Sequence, residues 1–98
     1  MTGSRLPKFR GAAVDVVVDV RSKLEFWFGH LPGAVCIPVD RISEGLHALN
    51  GISADSRILV YCASGNRSRL AAEELATAGY RNVVDGGGMA AASAHFTP

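Results

Sequence analysis

The chain predicts an α/β fold: a central, mostly parallel sheet of about four to five strands with helices on both faces. Three observations predict it. Short β-branched runs, above all Val16-Val17-Val18-Asp19-Val20, are of the kind buried on both faces of a parallel sheet. Other segments carry apolar residues at helical spacing: Ile42, Leu46 and Leu49, then Ala71, Leu75 and Ala78. The two kinds of segment alternate, which right-handed crossovers convert into parallel neighbours. Ligands of such sheets sit at the carboxyl ends of the strands.

Residues 1–12 read as an irregular lead-in with Pro7 and Gly11 as breakers, and 13–98 as a single domain. After the Val16–Val20 strand, Ser22 caps a helix through about Phe28, with Glu25 completing a capping box. Trp27 and Phe28 are expected to cover the core, with lining of the pocket mouth as the alternative. Gly29 and Pro32-Gly33 break the helix, and Ala34 to Ile37 form a second strand stopped by Pro38. A helix follows from Asp40 to Leu49, ended by Asn50-Gly51. Arg57 to Tyr61 is the next strand. The segment from Ser68 or Arg69 to Ala78 is a helix with Gly79 as its left-handed stop. Asn82 to Val84 is a fourth strand, Gly86-Gly87-Gly88 a turn, and Met89 to about His95 a last Ala-rich helical turn or two.

Ninety-eight residues suffice for one core that buries roughly 60–70% of the unfolded surface without metal or disulfide staples. The net charge of +1 calls for neither nucleic acid nor a membrane surface. Asp15 and Asp19 interrupt the valine run, which is too short to cross a bilayer, and no signal-peptide core precedes it. The two cysteines, Cys36 and Cys62, read as reduced thiols of a cytoplasmic protein. They lie far apart, and His30, His47 and His95 are scattered, so no metal site is expected and no cofactor is implied.

The chemistry concentrates in Cys62-Ala63-Ser64-Gly65-Asn66-Arg67-Ser68. An apolar strand ends in a thiol there, and a helix begins just beyond. A helix N-terminus offers unpaired donors and partial positive charge, and successive amides in a tight turn form an anion-binding concavity. Taken alone, a cysteine at a strand end is more often a small buried hydrophobe. The loop around it argues for more. A free thiol of pKa about 8.5 is only ~3% ionised at pH 7, and lowering it to about 7 needs ~2 kcal/mol. A helix terminus alone gives ~0.3–1 kcal/mol. Converging amides, Ser64, Asn66 and Ser68 donors, and the Arg67 charge are expected to supply the rest, around an accessible sulfur.

These pieces, in order, resemble a single-domain rhodanese, a thiosulfate or persulfide sulfurtransferase. Val18-Asp19-Val20-Arg21 is similar to the family's first strand with its Asp-x-Arg ending. Glu25-Phe26 and Gly29-His30-Leu31-Pro32-Gly33-Ala34 resemble its G-H-[IL]-P-G-A turn, and Cys62 to Ser68 its C-x-x-G-x-R-S loop. Ala78-Gly79-Tyr80 and Val84-Asp85-Gly86-Gly87 resemble its closing segments. Ala63 stands where many members carry a larger or basic side chain, and Ala90 to Ala92 occupy a stretch that often holds a Trp.

The resemblance implies a rhodanese-like fold and covalent catalysis in two steps. Cys62 would take a sulfane sulfur as a persulfide from a small anionic donor and pass it to a thiol or cyanide acceptor, a carrier protein among the options. Ala63, Ser64, Gly65, Asn66, Arg67 and Ser68 would bind the substrate, the amides holding the negative terminal sulfur and Arg67 steering the donor. Asp19 and Arg21 would brace the loop, and His30 would order its turn through a ring hydrogen bond. Cys36 reads as a strand residue, not a second reacting thiol. Four residues separate Cys62 from Arg67. Related phosphatases and arsenate reductases carry five, so the tighter ring favours sulfur over phosphate. A non-catalytic sulfur-binding or sensor module is the principal alternative.

Overall fold

The computed structural model describes residues 5–98, and residues 1–4 of the expected lead-in lie outside them. The elements run β1 (Lys8–Phe9), β2 (Ala12–Ala13), β3 (Val16–Asp19), α1 (Lys23–Phe28) and β4 (Val35–Cys36). A 3₁₀ turn (Val39–Arg41) leads into α2 (Ile42–His47), then β5 (Arg57–Cys62), α3 (Asn66–Thr77), β6 (Asn82–Gly88), α4 (Met89–Ser93) and β7 (Phe96–Thr97). The main sheet has the order β4-β3-β5-β6, and every pairing in it is parallel.

Period-two alternation in β5 divides the core. Ile58, Val60 and Cys62 point to the face where Ile42 and Leu46 of α2 and Ala71 and Leu75 of α3 pack. Leu59 and Tyr61 point to the other face, against Leu31, Ala34, Phe9 and Ala92 of α4, with Phe26 of α1 at the edge. Both faces are covered, so β3 and β5 read as unbroken apolar runs. Full burial of a side chain such as Ile58 or Leu59 stabilises the fold by about 1.5–3 kcal/mol. Among the described residues no helix is long and apolar enough to cross a membrane.

The lead-in is more ordered than its composition suggests. Strands β1 and β2 form a two-residue hairpin through Arg10 (φ 53) and Gly11 (φ 81), both in the left-handed region that such a turn demands. Strand β7 adds to the open edge of β1, and Phe9 is fully buried beneath this second, three-stranded sheet. Two-residue strands carry no periodicity, so nothing in the pattern announces them.

The ends of the helices also differ from expectation. The helix expected over 40–49 opens as a 3₁₀ turn behind Pro38 and closes at His47. Helix α3 starts at Asn66, before Ser68, because Gly65 (φ 104) turns the chain early. It ends as expected at Gly79, whose N–H donates to Ala76 O (3.1 Å) while that of Tyr80 donates to Leu75 O (3.1 Å). Trp27 and Phe28 do not cover the core: they are 77% and 75% exposed. Helix α1 buries no residue fully and turns only Phe26 inward.

Gly86-Gly87-Gly88 is not a turn but the end of β6. Val60 pairs with Asp85 and Cys62 with Gly88, so β6 carries one extra residue there as a bulge. A Cβ on Gly88 would stand 2.7 Å from the carbonyl oxygen of Ala63, and one on Gly86 would stand 3.0 Å from Leu59 Cδ1. Gly88 is needed because β6 passes directly against the loop after Cys62, Gly86 because Leu59 and Ala92 crowd it, and Gly87 for its positive φ of 77. Gly88→Ala is therefore expected to lower the urea-unfolding free energy by about 1–3 kcal/mol, since backbone cannot yield as a flexible side chain would. Unchanged unfolding would refute this close passage.

Candidate active site

Cys62 is the last residue of β5, and its sulfur lies under the first turn of α3. The Gly65 N–H donates to Sγ at 3.0 Å and the Ser68 N–H at 3.3 Å. Gly65 is the residue that caps α3 and has no side chain to offer, so the sulfur accepts the amides that a Ser or Asp oxygen would otherwise satisfy. The Gly65 carbonyl in turn accepts from the Ser68 hydroxyl (3.1 Å) and from the Arg69 N–H (3.2 Å). Of the loop amides, those of Gly65 and Ser68 converge on Sγ, but the thiol is not accessible. Cys62 has 0% exposure, because its side chain continues the Ile58–Val60 file on the face roofed by α3.

Two opposing influences act on this thiol. Burial is the largest single one and disfavours the thiolate. The Ser68 amide and hydroxyl, then the Gly65 and Ser64 amides, favour the thiolate and together outweigh burial, so the pKa falls below that of an ordinary thiol. Arg67 is not among these leading influences, although the Cys62 charge raises the pKa of Arg67 in return.

Arg67 instead meets Glu25 of α1. Its Nη1 donates to Oε1 at 2.7 Å and its Nη2 to Oε2 at 3.0 Å, a two-pronged ion pair. The same Oε1 accepts from the Ser22 N–H at 3.0 Å, which with Ser22 Oγ and the Glu25 N–H makes the expected capping box. Arg67 first, then Ser22, pull the Glu25 carboxyl down to about 2. Sequence reasoning assigned Glu25 only to the helix cap. Its contact with Arg67 spans 42 positions, and no local spacing signals it.

Ala63, Ser64 and Asn66 are exposed on the loop, Gly65 and Arg67 half-buried, and Ser68 buried. Asp19 and Arg21 form a buried pair. Arg21 Nη2 donates to Asp19 Oδ2 at 2.7 Å and to the Gly29 carbonyl at 2.6 Å. Among the described residues neither side chain hydrogen-bonds to Cys62–Ser68. The pair braces the end of α1, and the link to the loop runs through Glu25. His30 Nδ1 lies 2.9 Å from the Phe26 carbonyl, its ring stacked on that of Phe26, which orders the turn. Cys36 is half-buried. Burial pushes its thiol pKa up, and it donates weakly to the Arg21 carbonyl at 3.6 Å.

Residues 5–94 match the family described as Rhodanese-like domain. The chain is 36% identical over 69 residues to "Adenylyltransferase and sulfurtransferase uba4" of Ogataea parapolymorpha, covering 70% of this chain and 17% of that protein. It is 32% identical over 84 residues to "Thiosulfate sulfurtransferase PspE" of Escherichia coli, covering 86% of this chain and 77% of that one. The "Rhodanese_3 like domain" of the Anabaena sp. Alr3790 protein superposes with a TM-score of 0.73 at 27% identity, covering 85% of this chain and 94% of that one.

Because the folded pKa of Cys62 is depressed, its thiolate contributes stability that is present above the unfolded thiol pKa and lost as pH falls through the folded value. Thiolate ultraviolet absorbance in a Cys36→Ser background is expected to show a midpoint below that of a free thiol. Ser68→Ala is expected to raise it. A midpoint at or above the free-thiol value would contradict the balance described.

Proposed function

We propose that this chain, which belongs to the rhodanese-like domain family, is a cytoplasmic sulfurtransferase that carries sulfur as a persulfide on Cys62. The observation that supports this most is the convergence of the Gly65 and Ser68 amides on Sγ. A small anionic donor such as thiosulfate presents its outer sulfur to the thiolate. The new S–S bond forms as the old one breaks, and the electron pair leaves with sulfite, so charge is conserved. The terminal sulfur left on Cys62 is anionic. Preorganised amides at the N-terminus of α3 stabilise it without reorganisation.

In the second half-reaction an acceptor thiolate or cyanide attacks that terminal sulfur, and the electron pair of the breaking bond returns to Sγ. The product is a persulfide or thiocyanate. Sγ is covered in this structure, so donor and acceptor reach it only when the exposed Ala63, Ser64 and Asn66 edge of the loop moves aside. One relative is named "Putative sulfur carrier protein YrkF", and a carrier-protein thiol suits the acceptor role here. Among the residues between Cys62 and Arg67 there are four, one fewer than the ring of the related oxyanion enzymes, which disfavours phosphate.

Incubation with thiosulfate, followed by intact-mass measurement, is expected to show a gain of one sulfur atom that reductant removes. Cys62→Ser should abolish the gain and Cys36→Ser retain it. A folded protein that gains no sulfur from any donor would leave the non-catalytic reading in its place.

A further inference from the structure

We infer that Glu25 is a positioning residue that sets donor specificity: by holding Arg67 in a two-pronged pair, it withholds that charge from dianionic donors and favours sulfane donors of lower charge, such as an organic hydropersulfide. The inference rests on the persulfide reading of Cys62. Both Nη atoms of Arg67 are engaged, at 2.7 and 3.0 Å. The carboxylate is no wandering surface group, because Oε1 is also tied to the Ser22 N–H at the start of α1. Fixing it at two points lowers the entropy lost on pairing with Arg67.

The surroundings do not restore the missing charge. Arg69, next on α3, is paired with Glu73 at 3.2 Å. Ala63, Ser64 and Asn66 are uncharged. Leu24 and Phe28, within one turn of Glu25 on α1, and Trp27 beside them are all exposed. Both arginines at the start of α3, Arg67 and Arg69, are therefore matched with carboxylates. A dianion gains little from a pair of zero net charge, and prising Arg67 away would leave Glu25 uncompensated. A hydropersulfide needs no such charge. The Cys62 thiolate bonds to its terminal sulfur, the donor's S–S bond breaks, and the residual thiolate takes the electron pair and then the proton of the transferred sulfur. One negative charge enters and one remains on the Cys62 persulfide.

The test compares thiosulfate with 2-hydroxyethyl hydropersulfide, which carries no charged group besides its sulfur, measuring kcat and KM for each in wild type and in Glu25→Gln. Glutamine keeps an oxygen for the Ser22 N–H and removes the charge. The thiosulfate KM is expected to fall at least about threefold, with kcat and both hydropersulfide constants within about twofold of wild type. A thiosulfate KM that stays or rises, or an equal gain for both donors, would overturn the inference. If Glu25→Gln folds poorly, the ratio of the two donors' kcat/KM in Glu25→Ala gives the same reading, since lost folded protein cancels within one sample. If wild type takes sulfur and the ratio does not move, only the role of Glu25 falls. If wild type takes sulfur from neither donor, the persulfide reading falls with it.

Discussion

The loop depends on one substitution of roles: a cysteine sulfur serves as the acceptor for the first amides of α3. Gly65 caps that helix with a positive φ and no side chain. Its own N–H and that of Ser68 close on Sγ instead. Helix start, loop closure and sulfur ionisation are thereby one set of hydrogen bonds. The more negative the sulfur, the better it caps the helix, because amides that already point at it hold anionic acceptors more strongly than neutral ones. A terminal sulfur carried in that concavity inherits the same donors.

Around this point the rest of the molecule acts as support. Gly88 lets the neighbouring strand β6 pass within atomic contact of Ala63, and the bulge at Gly87 realigns that strand with Cys62. The Asp19–Arg21 pair pins the carbonyl of Gly29 and so fixes where α1 ends. Helix α1 in turn delivers Glu25 to Arg67. A side chain that looked like a simple helix cap thus carries information from one side of the sheet edge to the other. The buried thiol and the tied guanidinium are two consequences of the same compact geometry, in which the reactive sulfur is roofed and its nearest cation is committed elsewhere.

Much of this was legible in the residues. The valine run, the capping box at Ser22 and Glu25, the stop at Gly79 and the Cys62-to-Ser68 loop all express local rules, because period, cap and turn chemistry act over a few positions. What was not legible depends on long-range contact. Phe9 and Phe96 meet across nearly the whole chain, in strands too short to show alternation. The glycine triplet has the composition of a turn, and only the packing of Leu59 and Ala92 on Gly86, the bulge at Gly87 and the approach of Ala63 to Gly88 reveal why a strand needs it. Trp27 and Phe28 look like core by hydrophobicity alone, yet a six-residue helix held at its ends turns them outward. Burial of Cys62 follows from strand parity, but the depth of the roof over it does not.

The central claim concerns two main-chain donors and one sulfur, and amide proton shifts report on them directly. Titrating the Cys36→Ser protein by NMR, we expect the Gly65 and Ser68 amide protons to move downfield together as Cys62 ionises, and to remain there when Cys62 carries a second sulfur. Amides that stay still through the ionisation of Cys62 would show that the sulfur's charge is held by something else.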